Sequence, residues 1–323
     1  MRAAIFGALL TMAVQGGPAP AQAPSVTVSF VTLGTGGGPR VQAKRSQPAN
    51  ALVVGDAIYL FDTGDGVLRQ LAAAGLPLGA VRAVFLSHLH FDHVGGLGPL
   101  LEDRWVTAVR KPIPVIGPPG TLETIRGLTA AFRRTELAPL GLPAEPRFAA
   151  TVAPQDLAPA MDAPTIVYQD DAIRVLAITN THYHAPAGSA GAAERSYSYR
   201  IEAKGRVIVF TGDTGPSDHV RTLARGADLF VSEVMDRKAI EAALHRMPGL
   251  MPAAMDGLLR HMDEDHLTPA EVGRIAGAAG VKKVVLTHLV PGLDSETGTA
   301  SYLDGLSASF SGPVVVASDL DRF

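Results

Sequence analysis

The stretch Ser87-His88-Leu89-His90-Phe91-Asp92-His93 decides the fold. It sets three imidazoles and one carboxylate within six positions, directly after the apolar run Val81–Leu86 and just before Gly95-Gly96. A strand that ends in alternating histidines points His88 and His90 to one side. Asp92 and His93 then follow on the turn. Nitrogen donors for one ion and mixed oxygen and nitrogen donors for a second suit two adjacent divalent metals.

Polar residues at the ends of later apolar runs extend this pattern. His182 follows Ile173–Thr179, Asp213 follows Val207–Phe210, and His288 follows Val284–Leu286. Converging strand ends would gather them beside His88–His93 and supply the ligands a two-metal centre still needs. His184, two residues past His182, is a rival third ligand. In an extended segment both would face the same way, so spacing does not separate them. The chain has no cysteine. Thiolate ligands, disulfides and a cysteine nucleophile are therefore excluded together, and a metal must be held by His, Asp or Glu.

A hydrophobic content of 47% over 323 residues allows a large buried core in one or two domains. Ser25–Leu33 alternates as an opening strand and runs into the glycine loop Gly34–Gly38, where backbone can approach the site closely. Ala51–Val54 and Ala57–Phe61 form a hairpin around Gly55-Asp56. The remaining strand candidates alternate with helices in two series, which points to two sheets packed face to face with helices outside. Leu137–Pro164 is rich in proline and alanine and reads as an irregular excursion or a loop over the site. His219, His245 and His261 read as surface residues, Asp263-Glu264-Asp265 as a solvated loop, and Arg104 and Trp105 as packing residues by default, with lining of the pocket as the alternative.

At the N-terminus Arg2 precedes the apolar run Ala3–Val14, and Ala21-Gln22-Ala23 is a small-x-small cleavage pattern. Residues 1–23 read as a secretory signal peptide, leaving 24–323 as one domain. The run is shorter than the ~20 residues of a membrane span. A periplasmic or secreted protein without a membrane span is expected.

The set His88-x-His90-x-Asp92-His93, His182, Asp213 and His288 resembles the metallo-β-lactamase fold superfamily, in the family's order and across essentially the whole mature chain. Leu33-Gly34-Thr35-Gly36-Gly37, Phe61-Asp62-Thr63-Gly64-Asp65-Gly66, Ser196-Tyr197-Ser198-Tyr199-Arg200 and His266-Leu267-Thr268 are similar to motifs of the branch holding ribonuclease Z and its arylsulfatase-like and phosphodiesterase-like relatives. The resemblance implies a four-layer αββα sandwich with two divalent ions. Zinc is expected, although the same donors accept manganese or iron. It assigns His88, His90 and His182 to one metal, Asp92, His93 and His288 to the other, and Asp213 to both. Asn180-Thr181-His182 resembles the family's arrangement and favours His182 over His184. Asp213 stands where many β-lactamases of this fold carry a Cys, which argues against antibiotic hydrolysis.

Two metals ~3.5–4 Å apart can share a water as the nucleophile and clamp an ester in line. Asp92 can accept that water's proton as well as bind metal. The resemblance makes His266 the general acid for the leaving group, the role histidine fills most often, with Glu233 placed to orient it. Thr268-Pro269-Ala270-Glu271 is a capping box with proline at the first helical position. It would hold His266 just ahead of a helix.

The substrate expectation follows from charge. The formal net charge is −3, one unit more negative once Arg2 leaves, and no cluster of Lys and Arg offers a phosphate-backbone footprint. Only 30 residues lie between His182 and Asp213, where several tRNA-processing ribonuclease Z enzymes carry a long arm. An exported hydrolase of a small-molecule ester, arylsulfatase-like or phosphodiesterase-like, is expected, with no nucleic acid; a homodimer is compatible with this reading. A β-lactamase or lactonase is the second reading, and a non-catalytic metal-binding protein the third.

Overall fold

The computed structural model describes residues 26–323 except Pro139, Leu140, Leu142, Ala144 and Leu250. The expected signal peptide, residues 1–23, lies outside the described residues. Among the described residues thirteen strands make two sheets, and in each sheet spatial order equals chain order. The first holds β1 (Val28–Gly34), β2 (Ala49–Val54), β3 (Ala57–Thr63), β4 (Val81–Phe85), β5 (Ile113–Gly117) and β6 (Val152–Asp156). The second holds β7 (Thr165–Gln169), β8 (Ile173–Thr179), β9 (Tyr197–Ala203), β10 (Arg206–Phe210), β11 (Leu229–Met235), β12 (Val284–Val290) and β13 (Val314–Val316). Each sheet begins with antiparallel pairs and turns parallel, at β3–β4 in the first and β10–β11 in the second. Parallel strands need crossovers, so helices appear where the direction changes.

The helices are α1 (Val67–Ala73), α2 (Phe91–Val94), α3 (Leu97–Val106), α4 (Thr121–Ala131), α5 (Arg133–Leu137), α6 (Asp218–Leu223), α7 (Arg237–His245), α8 (Pro252–Asp265) and α9 (Pro269–Ala279). Three apolar clusters match the layers. Phe30, Tyr59, Phe61, Phe85, Tyr199 and Phe210 pack between the sheets. Leu60, Val84, Leu97, Leu101 and Trp105 join the first sheet to its helices. Val209, Val220, Phe230, Val272 and Ile275 do so for the second. The expected αββα sandwich is the fold. Among the described residues no helix is long and apolar enough to cross a membrane.

The core also aims the site. The Phe61 and Phe85 rings stack at 4.9 Å, with Tyr199 edge-on to Phe61, and the buried Tyr199 hydroxyl donates to the Leu86 carbonyl at 2.7 Å. Tyr197 N–H donates to the Ser87 carbonyl at 2.9 Å. One sheet thus grips the other where β4 runs into the histidine motif.

Leu137–Pro164 departs from expectation. It is not a loop over the site: it carries β6, the parallel edge strand beside β5. Pro154 obscured that strand, since proline demotes a strand reading yet is tolerated at a sheet edge. Arg104 and Trp105 are packing residues as expected; Arg104 donates to the Leu78 carbonyl and Trp105 Nε1–H to that of Pro146.

Candidate metal centre

The proposed ligands gather at one edge of the sandwich, most of them close to a strand end. His88 and His90 follow β4, while Asp92 and His93 lie on the short helix α2 rather than on a turn. His182 follows β8, Asp213 follows β10, and His288 lies within β12 at φ +45°. Open α/β sheets place ligands beyond the carboxyl ends of parallel strands, and β4, β10 and β12 obey that rule. Two glycines clear the space. A Cβ on Gly38 would stand 1.9 Å from Asp92 Oδ2, and one on Gly212, already at φ +58°, would stand 2.5 Å from Ser87 Cβ.

Two clusters form. In the first, His90 Nδ1 lies 3.0 Å from His88 Nε2 and 3.1 Å from His182 Nε2. In the second, Asp92 Oδ2 lies 3.5 Å from both His93 Nε2 and His288 Nε2. Asp213 Oδ2 lies between them, 3.1 Å from His288 Nε2, 3.3 Å from His93 Nε2 and 3.9 Å from His88 Nε2. His184 is not part of either cluster; it is half-exposed and pairs with Asp265.

Three of the ligand histidines have their outward ring nitrogen tied down. His88 Nδ1 meets Ser87 Oγ at 3.0 Å, His93 Nδ1 meets Asp62 Oδ2 at 2.8 Å, and His182 Nδ1 meets the Asp265 carbonyl at 3.0 Å. Such contacts fix a histidine's orientation and leave the other nitrogen free for a metal. Asp62 also accepts from Ser87 N–H and Ser87 Oγ, from a non-glycine position at φ +60°. Its place near the end of β3 is the same strand-end signal that marks the ligands.

The inward atoms fit metal. His93 Nε2, His288 Nε2 and Asp213 Oδ1 are buried with no hydrogen-bond partner among the described residues, a costly state unless something else satisfies them. The three nitrogens around His90 are spaced like donors ~2.0–2.1 Å from one shared ion. Burial holds His88 below its ordinary pKa and His182 at about 3, so both are neutral and ready to ligate. Burial opposes charge on Asp92, but His93 and His288 hold it at about 2. His88, His90 and His182 can hold one divalent ion and Asp92, His93 and His288 another, with Asp213 facing both.

Beside this set stands a second layer of chemistry. His266 Nδ1 and Glu233 Oε2 are 2.7 Å apart, both residues are buried, and Glu233 Oε1 accepts from Thr214 N–H at 2.6 Å. Burial lowers the His266 pKa to about 4. Burial and the charge of Asp213 push Glu233 well above the carboxylate range. Both directions favour the neutral forms, a carboxylic acid beside an uncharged imidazole. The capping box at Thr268 and Glu271 is present and fixes the backbone after His266.

Two readings are corrected. Asp265 is no solvated loop residue: it closes α8, buried, and accepts from both His184 and His261. His261 is not a remote surface residue. Its ring centroid is 5.4 Å from that of His266 and it lines the cavity of about 320 Å³ over the centre. The signal was His261-x-x-x-Asp265, an i,i+4 pair that meets on one helix face. His245 is exposed as expected, and His219 is half-buried with Nδ1 2.8 Å from the Thr179 carbonyl.

Comparison with known proteins agrees with this geometry. Residues 58–289 match the model of the beta-lactamase superfamily domain. A protein of Mycolicibacterium paratuberculosis named Ribonuclease Z is 31% identical over 299 residues, spanning 91% of this chain and 97% of its own length. One of Mycobacterium bovis with the same name is 32% identical over 305 residues, with the same coverage. Among solved structures, the metallo-beta-lactamase fold protein YhfI from Bacillus subtilis superposes with TM-score 0.64 at 22% identity, covering 92% of this chain and 98% of that one. The short form of human tRNase Z superposes with TM-score 0.60 at 22% identity, covering 91% and 98%. The expectation of a small-molecule ester and no nucleic acid is overturned by the relatives named Ribonuclease Z. A net charge summed over the whole chain says nothing about how one edge of it is built.

Proposed function

The chain belongs to the beta-lactamase superfamily as a homologue of ribonuclease Z, and from that membership we propose that it is a binuclear metal-dependent phosphodiesterase acting on RNA. The observation that carries the reading is Asp213, whose one oxygen approaches ligands of both clusters. His88, His90 and His182 would hold one ion, Asp92, His93 and His288 the other. Their nitrogen and carboxylate donors suit zinc. When bound, such a pair supplies an activated water and charge stabilisation for an in-line displacement at phosphorus.

The protein's own groups supply the rest. Glu233, protonated, donates to His266 Nδ1, which leaves His266 in the tautomer with its proton on Nε2. That N–H faces the cavity lined by His90, Asp92, Asp213 and His288. As the ester bond breaks, Nε2 gives its proton to the departing ribose oxygen, and the proton of Glu233 moves onto Nδ1. The histidine stays neutral throughout, and the charge left behind is a Glu233 carboxylate held by Thr214 N–H. Asp92, beside Gly38, takes up the proton of the attacking water. Phe91, 63% exposed at the mouth of the same cavity, offers a ring on which an unpaired base can stack. With residues 1–23 as a signal peptide, the enzyme would act on RNA outside the cytoplasm.

The test uses protein of measured metal content, a short single-stranded RNA, and bis(4-nitrophenyl) phosphate. Cleavage of both, abolished by chelation and restored by zinc, is expected. Metal-replete protein that leaves both intact while hydrolysing a carboxylic ester or a sulfate ester overturns the reading.

A further inference from the structure

A second cavity, of about 460 Å³, opens beside the one over the metal centre. Its walls are apolar: Ile240 and Leu244 from α7, Met247 just beyond it, Leu258 and Met262 from α8, and Val290 at the end of β12. Gly38, Pro39, Leu258, Met262 and Val290 line both cavities, so the two share a wall. The walls are braced as well as apolar. Arg237 at the start of α7 pairs with Asp263 of α8, its Nη2 3.2 Å from Asp263 Oδ2. Met247 and Leu258 are 38% and 39% exposed, large apolar side chains left bare on one rim. Arg40, exposed on the same lining, has no ion pair among the described residues.

We infer that this chamber is a nucleobase subsite, which seats the base next to the scissile phosphate. The inference rests on the phosphodiesterase reading. A phosphate placed over the metal centre leaves its flanking nucleoside within reach of the shared wall. A base is flat and apolar on its faces, and methionine sulfur packs favourably against aromatic rings. Ligand pockets of this size typically combine an apolar lining with a few polar groups that orient the ligand. Arg40 is placed to meet the next phosphate along the strand, while the walls take the base without reading its edges. The subsite therefore favours nucleotides over simple phosphodiesters and discriminates little among bases.

The experiment compares esters that share one leaving group: methyl 4-nitrophenyl phosphate, thymidine 5′-(4-nitrophenyl) phosphate and thymidine 3′-(4-nitrophenyl) phosphate. Wild-type kcat/KM should be roughly ten- to a hundredfold higher for the better thymidine ester, the range of one stacked base. Met247→Glu and Ala243→Glu, at positions that line this chamber and not the cavity over the metal centre, should remove most of that advantage while metal content and the methyl ester rate stay unchanged. A wild-type ratio near one, or an undiminished ratio in both variants, overturns the subsite and leaves the phosphodiesterase reading standing. Should no ester be turned over, the phosphodiesterase reading fails, and calorimetric titration with thymidine 5′-monophosphate decides the chamber. Binding at least tenfold weaker in the variants supports it, and equal binding overturns it.

Discussion

Two histidine–carboxylate pairs stand side by side over the metal centre, and they differ in burial more than in geometry. His266 Nδ1 is 2.7 Å from Glu233 Oε2; His261 Nδ1 is 2.6 Å from Asp265 Oδ2. The first pair is sealed, with side chains 5% and 1% exposed; in the second the histidine is 35% exposed. Burial drives the His266 pKa down to about 4 and that of Glu233 up, whereas the bond to Asp265 raises His261 despite partial burial. The same two groups are therefore pushed toward their neutral forms in one place and toward an ion pair in the other. Solvent access, not the identity of the partners, selects between them.

The largest effect should come from what both pairs share, the charge of Asp213, which acts on each. Asp213→Ala should lower the metal content of both clusters and bring RNA cleavage to background. Retention of the full wild-type metal content by elemental analysis would break the assignment of Asp213 to both ions. Next comes the sealed pair. His266→Ala should slow RNA cleavage roughly 10²–10⁴-fold, the scale of general acid help. It should barely affect bis(4-nitrophenyl) phosphate, whose leaving group departs without a proton. Equal losses on both substrates would make His266 a ligand or a binding residue instead. Glu233→Gln keeps a donor toward Nδ1 but has no proton to pass on. It should cost roughly 10–100-fold on RNA, as changes behind a ligand shell do, with unchanged metal content. A Gln variant as fast as wild type would remove the relay.

The contrast between the pairs also explains what the sequence made legible. The ligands were readable because β4, β8, β10 and β12 each run apolar and close on one donor side chain. Four of the seven fall within six consecutive positions, His88 to His93. His266 and Glu233 were readable through a strand end, a capping box and a family likeness. His261 and Asp265 lie on α8, away from any strand end, and helical spacing with an acidic run looks like any solvated face. The apolar chamber between α7 and α8 was invisible for a related reason. Its walls come from two helices and the end of β12, and the apolar stripe Ile240, Ala243, Leu244 and Met247 reads by itself as an ordinary core-facing surface. The fold class followed from the alternation of strands and helices. The edge strand β6 did not, because its five residues include a proline, a glutamine and an aspartate.

The smallest effect belongs to the open pair, and it has a pH signature. His261 is raised by Asp265, so its contribution to stability is present in full below its unfolded value of about 6.5 and is lost as pH rises through its higher folded value. Asp265 is lowered, chiefly by His261 and His184 against the cost of its burial. Its contribution is present above about 3.9 and is lost as pH falls through its lower folded value. The two conditions overlap between about pH 4 and 6.5. His261→Ala should lower the unfolding free energy of the metal-loaded protein by at most about 1 kcal/mol in that window, the scale of a solvent-screened pair. The deficit should shrink toward pH 9, and RNA cleavage should fall less than about tenfold, below the smallest general-acid effect. Chemical denaturation of wild type and variant at pH 5.5 and 9 checks this. A deficit that grows with pH would mean that His261 is held neutral like His266, and that the two pairs do not differ in kind.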